Sequence, residues 1–315
     1  MNQYTPGLVS VIIPTYKRAD LLVKAIDTVL NQTYKNIELL VVNDNIKGDD
    51  YSQKLYEIIG GYTDERLRLV EQEKHINGAA ARNAGIREAK GEYIAFQDDD
   101  DFWEPQKLER QVALLSSLDE SWGAVSCLMR IYSHGNLILS ALPYRDGYIL
   151  MDILDRRTSM GTGALLIRRT ALDDSGYFDE GLKRHQDLQL FARLAAKYKI
   201  KLDRVYLHNR ENKDGQNRPS AEQLKEIKSA YYHSIQDILD GLKPSDLKTV
   251  MIMHDFECAY AFIKNGKRKE GMQKLFGVFR SPYTFYLAVE RTGRRMIEKH
   301  CKGYLQKKYA VKEEK

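Results

Sequence analysis

Four consecutive aspartates, Asp98 to Asp101, close the stretch GEYIAFQDDDD. Each ionised carboxylate raises the cost of ionising its neighbour, so such a run implies that positive charge is brought to it. An extended chain would send Asp98 and Asp100 to one side, where two carboxylates can share a divalent cation while the others cap, bond a ribose or face water. Oxygen ligands favour a hard ion such as Mg2+ or Mn2+. A helix opening at Pro105 would draw one or two acids to its N-terminus through the macrodipole, but not four.

Other residues with chemical potential stand at comparable places. Asp44, in VVND, could accept a hydrogen bond from a base N–H or be an ordinary turn aspartate. Arg82 and Asn83 lie in GAAARNAG, a helix whose small residues permit close packing on a sheet. A buried Arg82 needs an acidic partner, and the aspartates or a phosphate would serve. In KRHQDLQLF, His185 and Asp187 fall just before or within the first turn of an amphipathic helix, where Asp187 reads as a cap. His208, in YLHNRENKDG, reads as a third metal ligand or a loop histidine after a strand. The chain has no G-x-S-x-G, P-loop or G-x-G-x-x-G, leaving serine hydrolysis, Walker-type phosphate binding and dinucleotide binding without support.

The elements that would position these residues follow from periodicity. Residues 9–13, 37–43, 67–72 and 92–96 read as strands, each followed by a helical pattern, which predicts a mostly parallel, doubly wound sheet. In such sheets ligands bind beyond the carboxyl ends of the strands, where residues 15–18, 43–45 and 98–101 fall. Beyond residue 120, AVSCLMRIYS and NLILSAL joined by HGN read as a hairpin, and GALLIRR as a strand before the helix QDLQLFARLAAKY. From about residue 220 the pattern is helical and basic, with breaks at Pro244 and Pro282.

The 315 residues, 43% hydrophobic, suffice for one large domain with an appendage or for two small ones. With 49 basic and 44 acidic residues the charge is too balanced to demand nucleic acid as a partner. Cys127, Cys258 and Cys301 lack metal or disulfide spacing, and a reducing cytosol is expected. No stretch approaches the length of a membrane span, and the first residues lack the basic start of a secretion signal. In residues 262–308, Lys and Arg alternate with Phe, Tyr and Leu, as in helices that lie in a membrane interface or that cover a core or a homo-oligomer contact.

Taken together and in order, VSVIIPTYKR, NQTYKNIELLVVND, NGAAARNAGIREAKGEYIAFQDDDDFW and RHQDLQLF resemble the inverting family 2 glycosyltransferases of the GT-A fold, over roughly residues 8–210. The resemblance implies a GT-A domain over residues 1–220, with a nucleotide-sugar part over 1–104 and an acceptor part over 105–220, and a basic helical region over 221–315. It implies that Pro14, Thr15, Tyr16 and Arg18 line the nucleotide pocket, Asp44 accepts from uracil, and Arg82 supports the diphosphate. Asp98 and Asp99 would stand near the nucleotide sugar, Asp100 with Asp98 would ligate Mn2+ or Mg2+, and Asp187 would be the catalytic base. The implied reaction is transfer of one sugar, from a UDP-sugar, to a saccharide or lipid-linked saccharide acceptor. The implied place is the cytoplasm, peripheral to the inner face of the membrane.

The family pattern is not matched everywhere: Lys17 stands where Asn is frequent, Asn43 where a first Asp is frequent, and Gln97 where Leu is usual. The Gln-x-x-Arg-Trp motif of processive members is absent, which favours single addition. Two alternatives rest on the acidic cluster, a sugar-phosphate nucleotidyltransferase and a non-catalytic sugar-nucleotide or calcium module. The first usually carries a glycine-rich loop after the first strand, where this chain has PTYKRAD. Acceptor selection is expected from loops around 140–163 and 208–220.

Overall fold

A computed structural model describes residues 4–158, 160–211 and 219–311. The first part alternates β1 (Thr5–Thr15), α1 (Ala19–Leu30), β2 (Ile37–Asn43), α2 (Asp50–Gly60), β3 (Leu67–Glu71), α3 (Gly78–Glu88) and β4 (Gly91–Phe96). All seven residues of β2 are buried, as expected for a parallel strand covered on both faces. The small residues of α3 serve the close approach read from the sequence. A Cβ on Gly85 would lie 2.4 Å from Ile12 Cγ2, so only glycine lets this helix sit so low on β1. Asn77 starts α3 by accepting from the backbone N–H groups of Ala79 and Ala80.

The chain continues through β5 (Phe102–Trp103), α4 (Lys107–Ser116), β6 (Trp122–Ser133), β7 (Asn136–Ser140), α5 (Leu150–Leu154), β8 (Leu166–Arg168), α6 (Arg169–Ser175), α7 (Gln186–Lys197) and β9 (Lys199–Glu211). Among the described residues one sheet runs β3-β2-β1-β4-β8-β6-β9-β5, with β7 on β6. The β1–β4 half is parallel as predicted. The other half is mixed: β8 is antiparallel to β4 and β6, whereas β9 is parallel to β6. The predicted hairpin is β6–β7, turned by His134 and Gly135, both at positive φ, the pairing a two-residue hairpin loop requires.

The helical region comprises α8 (Ala221–Ser234), α9 (Gln236–Asp240), α10 (Pro244–Lys264), α11 (Arg268–Phe276), α12 (Pro282–His300) and α13 (Lys302–Lys308). Pro244 and Pro282 break the chain by opening α10 and α12, where a missing N–H costs nothing. This region does not stand apart. Tyr231, Leu239 and Val250 share a core with Leu188 and Phe191 of α7, and burying one such side chain is worth about 1.5–3 kcal/mol. Glu257 of α10 pairs with Arg156 beyond α5, and Glu298 of α12 accepts from the Leu142 N–H. No helix among the described residues is long and apolar enough to cross a membrane.

Candidate active site

The four aspartates do not continue the extended alternation of β4. The strand ends at Phe96, and the Asp101 N–H donates to the Asp98 carbonyl at 3.1 Å, closing a turn. Gln97, fully buried, secures that turn by donating from Nε2 to the carbonyls of Asp101 and Ala25, which accounts for an amide where leucine is usual. The expectation that Asp98 and Asp100 share a side is therefore corrected: Asp98 and Asp101 line one cavity, and Asp100 turns to Arg18.

Each carboxylate receives a partner from a distant segment, the arrangement that crowded charge demands. Arg82 donates to Asp98. Thr15 Oγ1 donates to Asp99 at 2.9 Å, and Arg18 bridges Asp99 at 3.0 Å and Asp100 at 2.6 Å. His208 Nε2 lies 2.8 Å from Asp101. Burial pushes the Asp99 carboxyl up to about 7, against Arg18 and with Asp100 adding to the rise. Burial acts the same way on Asp98, but the guanidinium of Arg82 outweighs it and holds that carboxyl below its ordinary range.

His208 is not a loop residue. It lies within β9, opposite Trp103 of β5, because the strand runs on to Glu211. A Cβ on Gly163 would come 2.6 Å from its Nε2, so glycine admits the ring. With Nε2 committed to Asp101, the nitrogen left to a metal is Nδ1, which is buried and, among the described residues, without a hydrogen-bond partner.

Nucleotide-side residues gather at the ends of β1 and β2. Pro14 and Thr15 pair with Val42 and Asn43. Tyr16 stacks on His75 with ring centroids 3.9 Å apart and planes 9° from parallel. Asp44 is buried, and burial raises its carboxyl; it accepts from Gln72 Nε2 at 2.7 Å and lies 3.0 Å from His75 Nδ1. Lys17, at φ +57°, holds its N–H on Asn45 and its ammonium near the Tyr16 ring. Sequence reasoning missed Gln72 and His75, although they follow β3 at the same sheet edge that drew attention to the other loops. Asn83 proves structural, clasping the backbone of Phe178 from both ends of its amide.

Asp187 sits in the first turn of α7, whose N-cap position is His185 at φ +64° with no side-chain cap bond, and Asp187 Oδ1 accepts from the Leu188 N–H at 2.8 Å. It lines the cavity of about 250 Å³ that also holds Arg82, Asp98, Asp101 and His208. It lines equally a second cavity, of about 320 Å³, walled by α12. Burial, reinforced by Lys228 and Arg156, pushes His185 down to about 3, so its imidazole is neutral and a feeble base near pH 7. The α12 wall was not foreseen, because arginines at helical spacing look alike on a solvated face and over a cavity. Of the loops expected to select the acceptor, Ser159 and residues 212–218 lie outside the described residues.

Among the described residues no three of His, Cys, Asp and Glu converge as a metal cage. Mg2+-type ions are commonly held by one or two carboxylates and completed by substrate phosphates and water, and Asp98 and Asp101 on the cavity wall fit that pattern.

The family model for glycosyl transferase family 2 matches residues 10–175. An uncharacterized glycosyltransferase of Rickettsia typhi is 30% identical across 95% of this chain and 89% of its own length. The amylovoran biosynthesis glycosyltransferase AmsB of Erwinia amylovora is 32% identical across 58% of this chain and 62% of its own. The crystal structure of S. aureus TarS in complex with UDP-GlcNAc superposes with a TM-score of 0.62 at 16% identity, covering 94% of this chain and 92% of that one. That likeness bears out the GT-A fold.

Proposed function

Because the chain belongs to glycosyltransferase family 2, we propose that it transfers one sugar from a UDP-sugar to a saccharide or lipid-linked saccharide acceptor in cell-surface polysaccharide synthesis, inverting the anomeric carbon. Membership makes it a sugar-transferring enzyme, so nucleotidyl transfer and non-catalytic binding fall away. The observation that carries the reading is Asp187, half-buried at the start of α7 and shared by the cavity of the aspartates and the cavity under α12.

On this reading Asp187 takes the proton from the acceptor hydroxyl, and that oxygen attacks the anomeric carbon from the face opposite the leaving diphosphate. A single carboxylate base gives inversion without a covalent intermediate. His185, which also lines both cavities, is too weak a base for the role. Tyr16, Asp44 and Thr15 form the nucleoside side. Asp44 already accepts from Gln72 and the Ile76 backbone and lies against His75, but a carboxylate offers about four acceptor sites and can still accept from a base N–H. Arg18 and Arg82 can exchange a carboxylate for a phosphate oxygen, the bidentate chemistry that guanidinium favours. Asp98, on the cavity wall, would hold Mn2+ or Mg2+, joined by Asp100 once Arg18 exchanges that carboxylate for a phosphate oxygen, with His208 able to contribute only through Nδ1. The ion would supply charge neutralisation to the diphosphate.

The helical region carries Phe276, Phe279, Phe285 and Tyr286 exposed, with Phe279 and Phe285 stacked at 5.2 Å, and it is basic. These features support contact with the cytoplasmic face of a membrane. Screening nucleotide sugars for Mn2+-dependent hydrolysis or transfer, with the Asp187→Asn variant alongside, tests the function. Donor-dependent turnover that this variant retains would defeat the assignment.

A further inference from the structure

The cavity under α12 has a charge composition that sugar binding does not call for. Six arginines line it, against the carboxylates of Asp187 and Glu298. They come from three places: Arg156 and Arg157 after α5, Arg210 near the end of β9, and Arg291, Arg294 and Arg295 on one face of α12. The spacing of the last three, with Glu298 following, is i, i+3, i+4, i+7, which keeps them on one stripe of the helix.

The surrounding protein neutralises this wall only in part. Glu257 serves Arg156, Arg291 and Lys228 together. Arg157 is held by Asp152 and Asp155. Arg294 donates to the carbonyls of Leu142 and Pro143. Among the described residues Arg210 and Arg295 make no ion pair, Arg210 acting on Asp98 only through the longer-range field, and Nη1 of Arg291 is buried without any hydrogen-bond partner. Burial and the repulsion of Arg156 and Arg295 depress the Arg291 guanidinium, the mark of a cation short of negative charge.

We propose that this cavity is an anion subsite that receives the phosphate or diphosphate of the acceptor, with Arg291 and Arg295 of α12 and Arg210 of β9 as its principal donors. The inference rests on the transferase reading, since the cavity meets the donor-side cavity at Asp187. Planar guanidinium forks match phosphate oxygens in pairs, and several arginines suit a group of more than one negative charge. A neutral sugar would leave the surplus uncompensated. The volume of about 320 Å³ admits a sugar phosphate head and leaves any lipid outside. Asp187 then stands between two anionic groups, the donor diphosphate on the Asp98 side and the acceptor phosphate on the α12 side.

The test is calorimetric titration of the full chain with inorganic pyrophosphate after saturation with UDP and Mn2+, UDP affinity being measured first. Pyrophosphate should still bind, and Arg291→Gln with Arg295→Gln should weaken it by roughly tenfold or more, the loss of about 1.4 kcal/mol or more. Arg295→Glu, at an exposed position, should do the same and guards against misfolding of the double variant. Lys264→Gln with Lys269→Gln removes as much charge from exposed helical surface elsewhere and should leave the affinity within about twofold. Pyrophosphate binding that UDP abolishes, that both α12 variants retain, or that the lysine control loses equally would overturn the proposal. Phosphatidylglycerol vesicles form the second arm. If they bind in an Arg291- and Arg295-dependent manner while pyrophosphate does not, the anion is a membrane headgroup and the acceptor subsite is refuted. Failure of UDP to bind would strike the donor reading alone, since the pyrophosphate result stands by itself.

Discussion

The two walls that meet at Asp187 are charged in opposite senses and balanced in different ways. On the donor side the excess is acidic, and every carboxylate from Asp98 to Asp101 already has a partner in Arg82, Thr15, Arg18 or His208. On the α12 side the excess is basic: Asp152 and Asp155 hold Arg157, Glu298 accepts from the Leu142 N–H, and Glu257 is divided among three cations. A wall that neutralises itself is stable without ligand, and a ligand enters it by exchanging partners. A wall with unpaired guanidinium keeps a standing demand for an anion. On the proposed reading Asp187, which lines both cavities, stands between a cation-binding side and an anion-binding side.

The largest effect should come at that divide. Asp187→Asn is nearly isosteric and should lower transfer by roughly a hundredfold or more while UDP affinity stays within about twofold. Loss of UDP binding in step with turnover would make Asp187 a structural residue of α7 and dissolve the comparison. Next, on the donor wall alone, Asp100→Ala leaves Arg18 on Asp99 alone and removes a proposed metal carboxylate, and Mn2+-dependent UDP binding should fall by roughly tenfold. Full activity in Asp100→Ala, or unchanged wild-type activity in excess EDTA, would count against the metal assignment.

A smaller effect sharpens how the donor wall balances its charge. The unfolded chain ionises Asp99 near the ordinary value of 3.8, whereas the folded chain holds the proton until about 7. Folded protein therefore binds more protons across that window, and this residue's contribution to stability declines as pH rises through it. An amide at that position has no such proton to lose. The melting temperature of Asp99→Asn relative to wild type should be higher at pH 8 than at pH 5 by roughly 2–4 °C. An offset that does not change with pH would show that Arg18 and Thr15 already stabilise the ionised form. The smallest effect lies outside both cavities: Phe279→Ser with Phe285→Ser should reduce sedimentation with anionic vesicles and leave pyrophosphate affinity unchanged. Vesicle binding that persists would remove the aromatic face from the membrane reading.

Much of this architecture is legible in the chain. The strands at 37–43 and 92–96 announce themselves by the apolar runs LLVV and YIAF within them, and parallel topology places their following loops on one edge. The role proposed for Asp187 came only through resemblance, since a carboxylate at a helix start otherwise reads as a cap. Conformation within the aspartate run was not legible: its composition signals charge, while the turn that pairs Asp98 with Asp101 across one cavity depends on buried Gln97. The Tyr16–His75 stack joins residues from different loops, and no local pattern announces it. The α12 cavity was hidden for the same reason on a larger scale. Arg291 and Arg156 are distant in sequence, and a helix face declares its partner only once Glu257 and the core around Tyr231 bring the two segments together.

The central claim, a single carboxylate base acting between a donor wall and an acceptor wall, is tested most directly by the anomeric configuration of the product. With an α-linked UDP-sugar that the chain accepts, the proton coupling constant at the new linkage should report a β configuration. An α product would require a second displacement and would contradict the assignment of Asp187 as the base of an inverting transfer.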